Sequence, residues 1–366
     1  MARQPQRPEW QRVVFRKREA VVRLLPGLEM GDLLDHDEED AASLVASASA
    51  PVVLLLLGLG PQVGGSYAAL CRLLDDVGVA WQEEGRVHCL QLHQGSPYAL
   101  ARLAPRDALS VFTKAQGRPA AMGKVYVDVV RPSSSWIPPR IEAKAPPGAL
   151  VELDFVDDRL GAALVAMMAE AQRDEPDAWQ VLKRRRVRHY GRRFDYATNR
   201  AAVDDGNADA ALAMPPLLRE LTAAVEALVA RTWRPLADDG LGAFAVDQVT
   251  VNEYEPGAGI PPHADTHGAF REPLLSLSLA SDVVMDFARP DSGETGAVRL
   301  PPRSLLLLTA DARYHWTHAI KSRRVDPPLA PLERIGTDRT TRLSFTFRQT
   351  TPASFRCPCG GSPLCA

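Results

Sequence analysis

Between Arg131 and Ala149 the chain carries five prolines and three consecutive serines, a stretch that neither a helix nor the middle of a sheet can absorb. It splits the sequence into two parts with different patterning. Ahead of it, the apolar run Val52–Leu57 leads through a turn holding Gly58, Gly60, Gly64 and Gly65. A helix follows in which Tyr67, Leu70, Leu74 and Val77 recur at helical spacing. The pattern then predicts strands at 87–92 and 98–103, joined through Gly95-Ser96-Pro97, a helix at 106–115 and a strand at 124–130. The order β-α-β-β-α-β is the split βαβ arrangement. Behind the proline-rich stretch, helices are predicted near 160–171 and 217–230. Short strands are predicted at 248–254, 275–280, 283–287, 304–309 and 342–348. Short alternating strands with flanking helices suggest an open β-sandwich or jelly roll with the helices packed outside.

A chain of 366 residues is long enough for two such domains, so the expected class is α+β. The expected boundaries are a basic helix and linker over 1–48, the split βαβ domain over 49–131, the linker over 132–149, a jelly-roll domain over 150–352 and a cysteine tail over 353–366. The basic helix is placed at Arg16–Arg23. No apolar run reaches the ~18 residues of a membrane span, and the basic N-terminus lacks an apolar signal core. Three of five cysteines fall in the last ten residues, which points to a metal site in a reducing compartment. The expected location is the cytoplasm, with the nucleus as a second compartment. Cys71 and Cys89 occupy core-like positions and read as buried thiols.

Chemistry concentrates between Asn252 and Arg348. His263-Ala-Asp265 sets two ligand types on one face of an extended segment, and His318 follows a leucine-rich strand. Two imidazoles and a carboxylate can hold one face of an octahedron and leave three positions open. Non-haem Fe(II) needs that arrangement to take a co-substrate and O₂ together. In Arg342-Leu-Ser344-Phe-Thr346-Phe-Arg348, alternation sends Leu343, Phe345 and Phe347 one way and the polar residues the other. Two inward arginines require an anion, and a dicarboxylate such as 2-oxoglutarate supplies one by bidentate pairing. An edge strand with its polar side in water fits the same pattern.

Asn252-Glu-Tyr254, the His263-x-Asp265…His318 set and the Arg342-x-Ser-x-Thr-x-Arg348 strand together resemble the AlkB family of Fe(II)- and 2-oxoglutarate-dependent dioxygenases. The resemblance implies a double-stranded β-helix core. It further implies hydrogen bonds from Asn252 and Tyr254 to 2-oxoglutarate, pairing of Arg342 with its distal carboxylate, and a place for Arg348 in the same pocket. The family's usual Asn in the last motif is Ser344 here. Four longer stretches, VNEYEPGAGIPPHADTH, SLSLASDVVMDF, LPPRSLLLLTADARYHWTH and the C-terminal cysteines, resemble one branch of the family, alkB homologue eight. That branch joins an RNA-recognition motif to the oxygenase, and the resemblance runs over residues 10–366. It implies a tRNA substrate, a wobble uridine carrying a 5-methoxycarbonylmethyl group, and a side-chain-hydroxylated product. Animal members of the branch continue into a methyltransferase domain. This sequence stops at Ala366 without a glycine-rich methyl-donor motif, so a separate tRNA methyltransferase is expected to supply the ester. Two alternatives stay open: oxidative demethylation of N-alkylated bases in RNA or DNA, and a non-catalytic RNA-binding protein.

Cys357, Cys359 and Cys365 offer three thiolates in a short loop, and a tetrahedral zinc needs a fourth ligand. His267 is the candidate, and the resembling branch supports it. The net charge of −2 hides a basic run, Lys183, Arg184, Arg185, Arg186, Arg188, Arg192 and Arg193, interleaved with His189, Tyr190, Phe194 and Tyr196. Such interleaving suits phosphate contact and base stacking, and in the resembling branch this region is a lid over the substrate nucleotide. The first domain is expected to resemble a degenerate RNA-recognition motif. Tyr98 keeps one stacking aromatic, Leu100 stands where a second is expected, and Ser96 and Pro97 replace the usual basic residue and glycine. It is expected to dock with the oxygenase and add phosphate contacts, and not to read bases by stacking.

Overall fold

The computed structural model describes residues 22–23, 25, 27–34, 38–61, 65–92, 96, 98–121, 123–131, 134, 136, 141–192, 194–195, 200–201, 212–233, 241–330, 333–352 and 354–365. Most of the expected basic helix, together with Gly64, Gly95, Pro97, Arg193 and Tyr196, lies outside these residues. The chain is a mixed α/β protein that divides into two compact units, 1–142 with 324–338, and 143–323 with 339–366. The expected boundaries placed 324–338 with the jelly roll, whereas its contacts place it with the first unit. Among the described residues no helix is long and apolar enough to cross a membrane.

In the first unit a helix α1 (Glu38–Ala46) precedes β1 (Val52–Leu57), α2 (Tyr67–Asp76), β2 (Val87–Leu92), β3 (Tyr98–Leu103), α3 (Pro105–Lys114) and β4 (Tyr126–Val129). The four strands form an antiparallel sheet in the order β2-β3-β1-β4. All six residues of β1 are buried, so both faces of the sheet are covered. Tyr98 and Leu100 are buried with them. Each sheet edge is closed by one short bridge: Leu33 pairs with Val130 beside β4, and Ile335 pairs with Leu90 on β2. Unpaired edges template aggregation, and these single bridges cover part of each edge. The start of α2 is held from the same inserted segment. The Asp338 carboxylate accepts from the Tyr67 and Ala68 amides at 2.9 and 3.1 Å, while Ser66 Oγ accepts from Ala69 at 3.1 Å. A carboxylate at a helix N-terminus satisfies orphan donors and complements the dipole. Cys89 is buried as expected, but Cys71 is only half-buried, with its thiol raised to about 11 by burial and then by Asp75.

The second unit is built on two antiparallel sheets. Its elements are β5 (Ala149–Glu152), α4 (Asp158–Asp174), β6 (Gln180–Leu182), β7 (Arg185–Gly191), α5 (Pro216–Thr232), β8 (Gln248–Tyr254) and β9 (Ile260–His263). They continue with β10 (Leu274–Leu279), β11 (Val283–Ala288), β12 (Thr295–Leu300), β13 (Leu305–Leu308), α6 (Ala310–Tyr314), β14 (Thr317–Ile320) and β15 (Arg342–Arg348). The larger sheet runs β5-β13-β10-β15-β8-β7-β6 and the smaller β9-β14-β11-β12. One face of the larger sheet packs on α4 and α5. Val249, Val251, Leu277, Phe345 and Phe347 meet Leu164, Leu221 and Val225 there. The strand pattern at 342–348 is therefore that of a central strand, not of an edge. A second core, around Met285, Phe287, Leu306, Leu308 and Trp316, lies between the two sheets. Phe345 is fully buried, so Phe345→Ala should cost about 3–5 kcal/mol, read as a lowered denaturant midpoint with unchanged slope.

Candidate active site

β10, β15 and β8 lie side by side, and alternation gives each a polar row on the face turned from the helices. Register sets Asn252 opposite Ser344, Tyr254 opposite Arg342, and Ser278 opposite Ser344. With β9 and β14 of the smaller sheet, this face encloses a cavity of about 370 Å³. Apolar side chains of Ile260, Met285, Leu306, Leu308 and Ile320 line the rest of it.

His263 and His318 are register partners across β9 and β14, with ring centroids 4.3 Å apart. Their close approach depends on Gly259, where a Cβ would stand 2.1 Å from the Ile320 carbonyl oxygen. Asp265 follows two residues on, and ligand atoms of His263, Asp265 and His318 all lie within 4.8 Å of one another. The set is tuned for a cation. Burial alone would raise the Asp265 carboxyl, but Arg348, then His318 and His263, hold it well below the usual carboxylate range. Burial, then His263, lowers His318 to about 3, which leaves it neutral with a free lone pair at physiological pH.

Arg342 is 3% exposed; it donates to Ser278 Oγ at 2.7 Å and lies over the Tyr254 ring at 5.5 Å. Arg348 donates twice to Asp265 Oδ2, at 2.9 and 2.8 Å, and to Thr250 Oγ1 at 3.0 Å. The two strand arginines thus differ: one already serves the carboxylate of the triad, the other sits deeper in the cavity wall. Ser344 Oγ lies 2.9 Å from Ser276 Oγ.

His267 is fully buried, and neither of its ring nitrogens meets a hydrogen-bond partner among the described residues. Its ligand atom lies within 4.8 Å of the sulfurs of Cys357, Cys359 and Cys365 and they of one another. Burial, then Arg313, lowers His267 to about 4. Burial pushes the Cys357 thiol up to about 12. At Cys359 burial is outweighed by hydrogen bonds from Cys357 and Cys365, which bring it down to about 7. A neutral imidazole with orphaned nitrogens facing three thiols matches the donor types and number that a tetrahedral zinc takes, so these four residues could hold a metal ion.

The basic run is divided by the pleat of β7. Val187, His189 and Arg185 share the cavity side; Arg185 lines the cavity and donates to Asn252 Oδ1 at 3.0 Å. Lys183 and Arg184 are exposed in the β6–β7 turn, where Arg184 bonds Ser322. Arg186, Arg188 and Tyr190 point the other way, toward the helix side of the sheet. Arg186 pairs with Glu253 and Gln172, and Arg188 with Glu175. Tyr190 is 1% exposed among the core side chains, so its ring is closed to a base. Arg192 pairs with Asp247 at 3.4 Å. Arg193 lies outside the described residues. Residue counting treated 183–193 as one surface, whereas a strand of period two sends alternate cations to opposite sides. Ser276 and Ser278 were also missed, although their alternation in Leu-Leu-Ser-Leu-Ser-Leu marks a polar row.

Arg348 generates a pH prediction. A carboxyl held low by a neighbouring cation stays ionised until pH falls through its depressed value, and removing the cation leaves burial to raise it. Arg348→Met should therefore lose Fe(II) affinity at a higher pH than the wild type, measured by anaerobic titration.

Residues 153–348 match the family model described as 2OG-Fe(II) oxygenase superfamily. The chain is 32% identical over 295 residues to a Xenopus tropicalis protein named tRNA (carboxymethyluridine(34)-5-O)-methyltransferase alkbh8, covering 75% of this chain and 44% of that protein. A Mus musculus protein of the same name is 34% identical over 66% of this chain and 35% of its own length. An Arabidopsis thaliana protein named Alkylated DNA repair protein ALKBH8 homolog is 35% identical over 49% of this chain and 54% of its own. The chain thus spans between about a third and about half of these relatives. A triad sized for one metal ion, a buried arginine in the same cavity and the family match over residues 153–348 make the chain a member of the 2OG-Fe(II) oxygenase superfamily, a 2-oxoglutarate-dependent dioxygenase similar to these AlkB-homologue relatives.

Proposed function

We propose that the chain hydroxylates the side chain of 5-methoxycarbonylmethyluridine at the wobble position of a tRNA anticodon. The observation that carries the reading is the cavity whose lining joins His263, Asp265 and His318 to Arg342 and Arg185. The substrate class comes from the relatives, two of which are named for carboxymethyluridine 34 of tRNA. Their printed activity forms an ester at that position, and a methyltransferase is the proposed supplier of this substrate.

His263, Asp265 and His318 would hold Fe(II), and Arg342, Asn252 and Tyr254 would hold 2-oxoglutarate, with Arg348 beside them. When bound, Fe(II) with 2-oxoglutarate and O₂ supplies oxidation of a C–H bond to C–OH, coupled to conversion of 2-oxoglutarate to succinate and CO₂. The chain's own residues do the positioning. Arg342 offers a fixed planar fork to a carboxylate in a low-dielectric wall, where such pairing is strongest. Arg348 keeps Asp265 ionised, and the apolar lining of Met285, Leu306 and Leu308 restricts water. Lys183 and Arg184, exposed at the hairpin turn, would take backbone phosphates, and Arg185 the nucleotide edge nearest the cavity. An anticodon loop presents unstacked bases, so entry needs no duplex melting.

The Cys/His cluster is read as a structural zinc site. The first unit is read as a degenerate RNA-recognition motif, supported by its strand order, with Tyr98 buried and therefore no stacking platform.

Incubating tRNA bearing the ester nucleoside with iron, 2-oxoglutarate and O₂ should add one oxygen atom to that nucleoside alone, seen by mass spectrometry of the digest. Release of formaldehyde from an N-methylated base instead would favour demethylation. Succinate formation should vanish in His263→Ala, and its persistence there would count against the triad. Arg342→Met should raise the KM for 2-oxoglutarate about 10–100-fold, the loss of one buried charged hydrogen-bonding group. Zinc binding at neutral pH should expel about two to three protons, because two thiols are raised and one sits near 7, so zinc affinity rises with pH. Isothermal titration in buffers of different ionisation enthalpy measures that number.

A further inference from the structure

The buried cation Arg313 is used by none of the chemistry above. It is 2% exposed and lies on α6, four residues before Thr317 opens the strand of His318. Its guanidinium donates to three backbone carbonyls: Asp265 at 2.8 Å, Thr266 at 3.3 Å and Phe270 at 3.0 Å. Those carbonyls bracket His267. One planar group therefore fixes the short backbone between a triad carboxylate and the imidazole that faces the thiols. Its neighbour Tyr314 meets the His267 ring edge-on, with centroids 5.2 Å apart, and the Tyr314 carbonyl accepts from Ser362 Oγ of the cysteine tail at 2.6 Å. Two consecutive residues of α6 thus hold the loop 265–270 and the tail together.

Charge gives the second observation. No carboxylate is hydrogen-bonded to Arg313, and its Nε meets no hydrogen-bond partner among the described residues. Burial lowers its pKa, and Asp265, Tyr314 and Cys357 are the leading groups that hold it up. Burial raises the Cys365 thiol, and Arg313 is a lesser influence that opposes that rise. Three thiolates and a neutral imidazole around a divalent zinc carry one net negative charge. A single buried guanidinium between that cluster and Asp265 offsets it, and burying either charge alone costs several kcal/mol.

We propose that Arg313 is a positioning residue that couples the two metal sites: zinc fixes His267, Arg313 fixes the backbone from His267 back to Asp265, and iron affinity therefore depends on the cluster. By linkage, iron in the triad must tighten zinc in the cluster by the same factor. The inference rests on the metal assignments proposed above and goes beyond them by making the sites interdependent.

The test uses the full chain, zinc-loaded, with Fe(II) titrated anaerobically without substrate. Arg313→Lys keeps the charge that the thiolate cluster faces but cannot span three carbonyls. It should retain one zinc and a cooperative thermal transition, with a somewhat lowered midpoint, while binding Fe(II) about tenfold more weakly or worse. Wild-type chain stripped of zinc before titration should show a loss of the same order. Arg313→Met, which also removes the charge, should lose zinc to a chelator faster than Arg313→Lys; if it fails to fold, the lysine variant decides alone. Equal Fe(II) affinity in Arg313→Lys and wild type, both zinc-loaded, overturns the coupling and leaves the metal assignments standing. A wild-type chain that takes up iron but no zinc overturns the cluster assignment and the coupling with it.

Discussion

The cost of placing two guanidinium groups on one strand, with at most a small part of either in water, governs the second unit. Arg342 and Arg348 stand at the two ends of β15, and Phe345 and Phe347 between them face the opposite way into the helix-side core. A one-residue slip would turn the phenylalanines into the cavity and the arginines into the core. Register is consequently enforced from both faces at once. The cavity face then has to answer the charge, and it does so unequally. Asp265, Thr250 and Gln248 gather around Arg348, while Arg342 is met by Ser278 and the face of Tyr254. The proposed roles follow from that asymmetry: the arginine beside the triad would preserve the charge of a metal ligand, and the deeper one would offer its fork to a co-substrate.

Much of this was legible in the sequence because it is local. The alternation at 342–348 separates the two faces without help, and His263-x-Asp265 lies on one side of an extended segment by spacing alone. What local pattern cannot carry is pairing. The basic run 183–193 is continuous in sequence, yet β7 lies next to β8, and Glu253 and Glu175 claim alternate arginines while Tyr190 sinks into the core. Arg313 was equally hidden. An arginine in Ala-Asp-Ala-Arg-Tyr reads as a solvated helix residue until the fold wraps a loop 43 to 48 positions distant around it.

The cysteine tail shows the same division between spacing and partners. Cys357, Cys359 and Cys365 declare themselves by proximity, while the proposed fourth donor, His267, comes from a loop 90 residues away from Cys357. Its two orphaned nitrogens carry more weight than the thiols. A buried imidazole without a hydrogen bond is costly, and a metal ion is one of the few things that repays it.

The first unit is sewn shut by residues that the chain reaches only late. Ile335 covers the open edge of β2, and Asp338 caps α2, both after the strand that carries His318 has been made. On a ribosome adding about 5–20 residues per second, β2 emerges roughly 12–50 s before its covering segment. Throughout that interval an apolar strand edge is bare, and the nascent chain must be shielded from its neighbours by something other than its own fold.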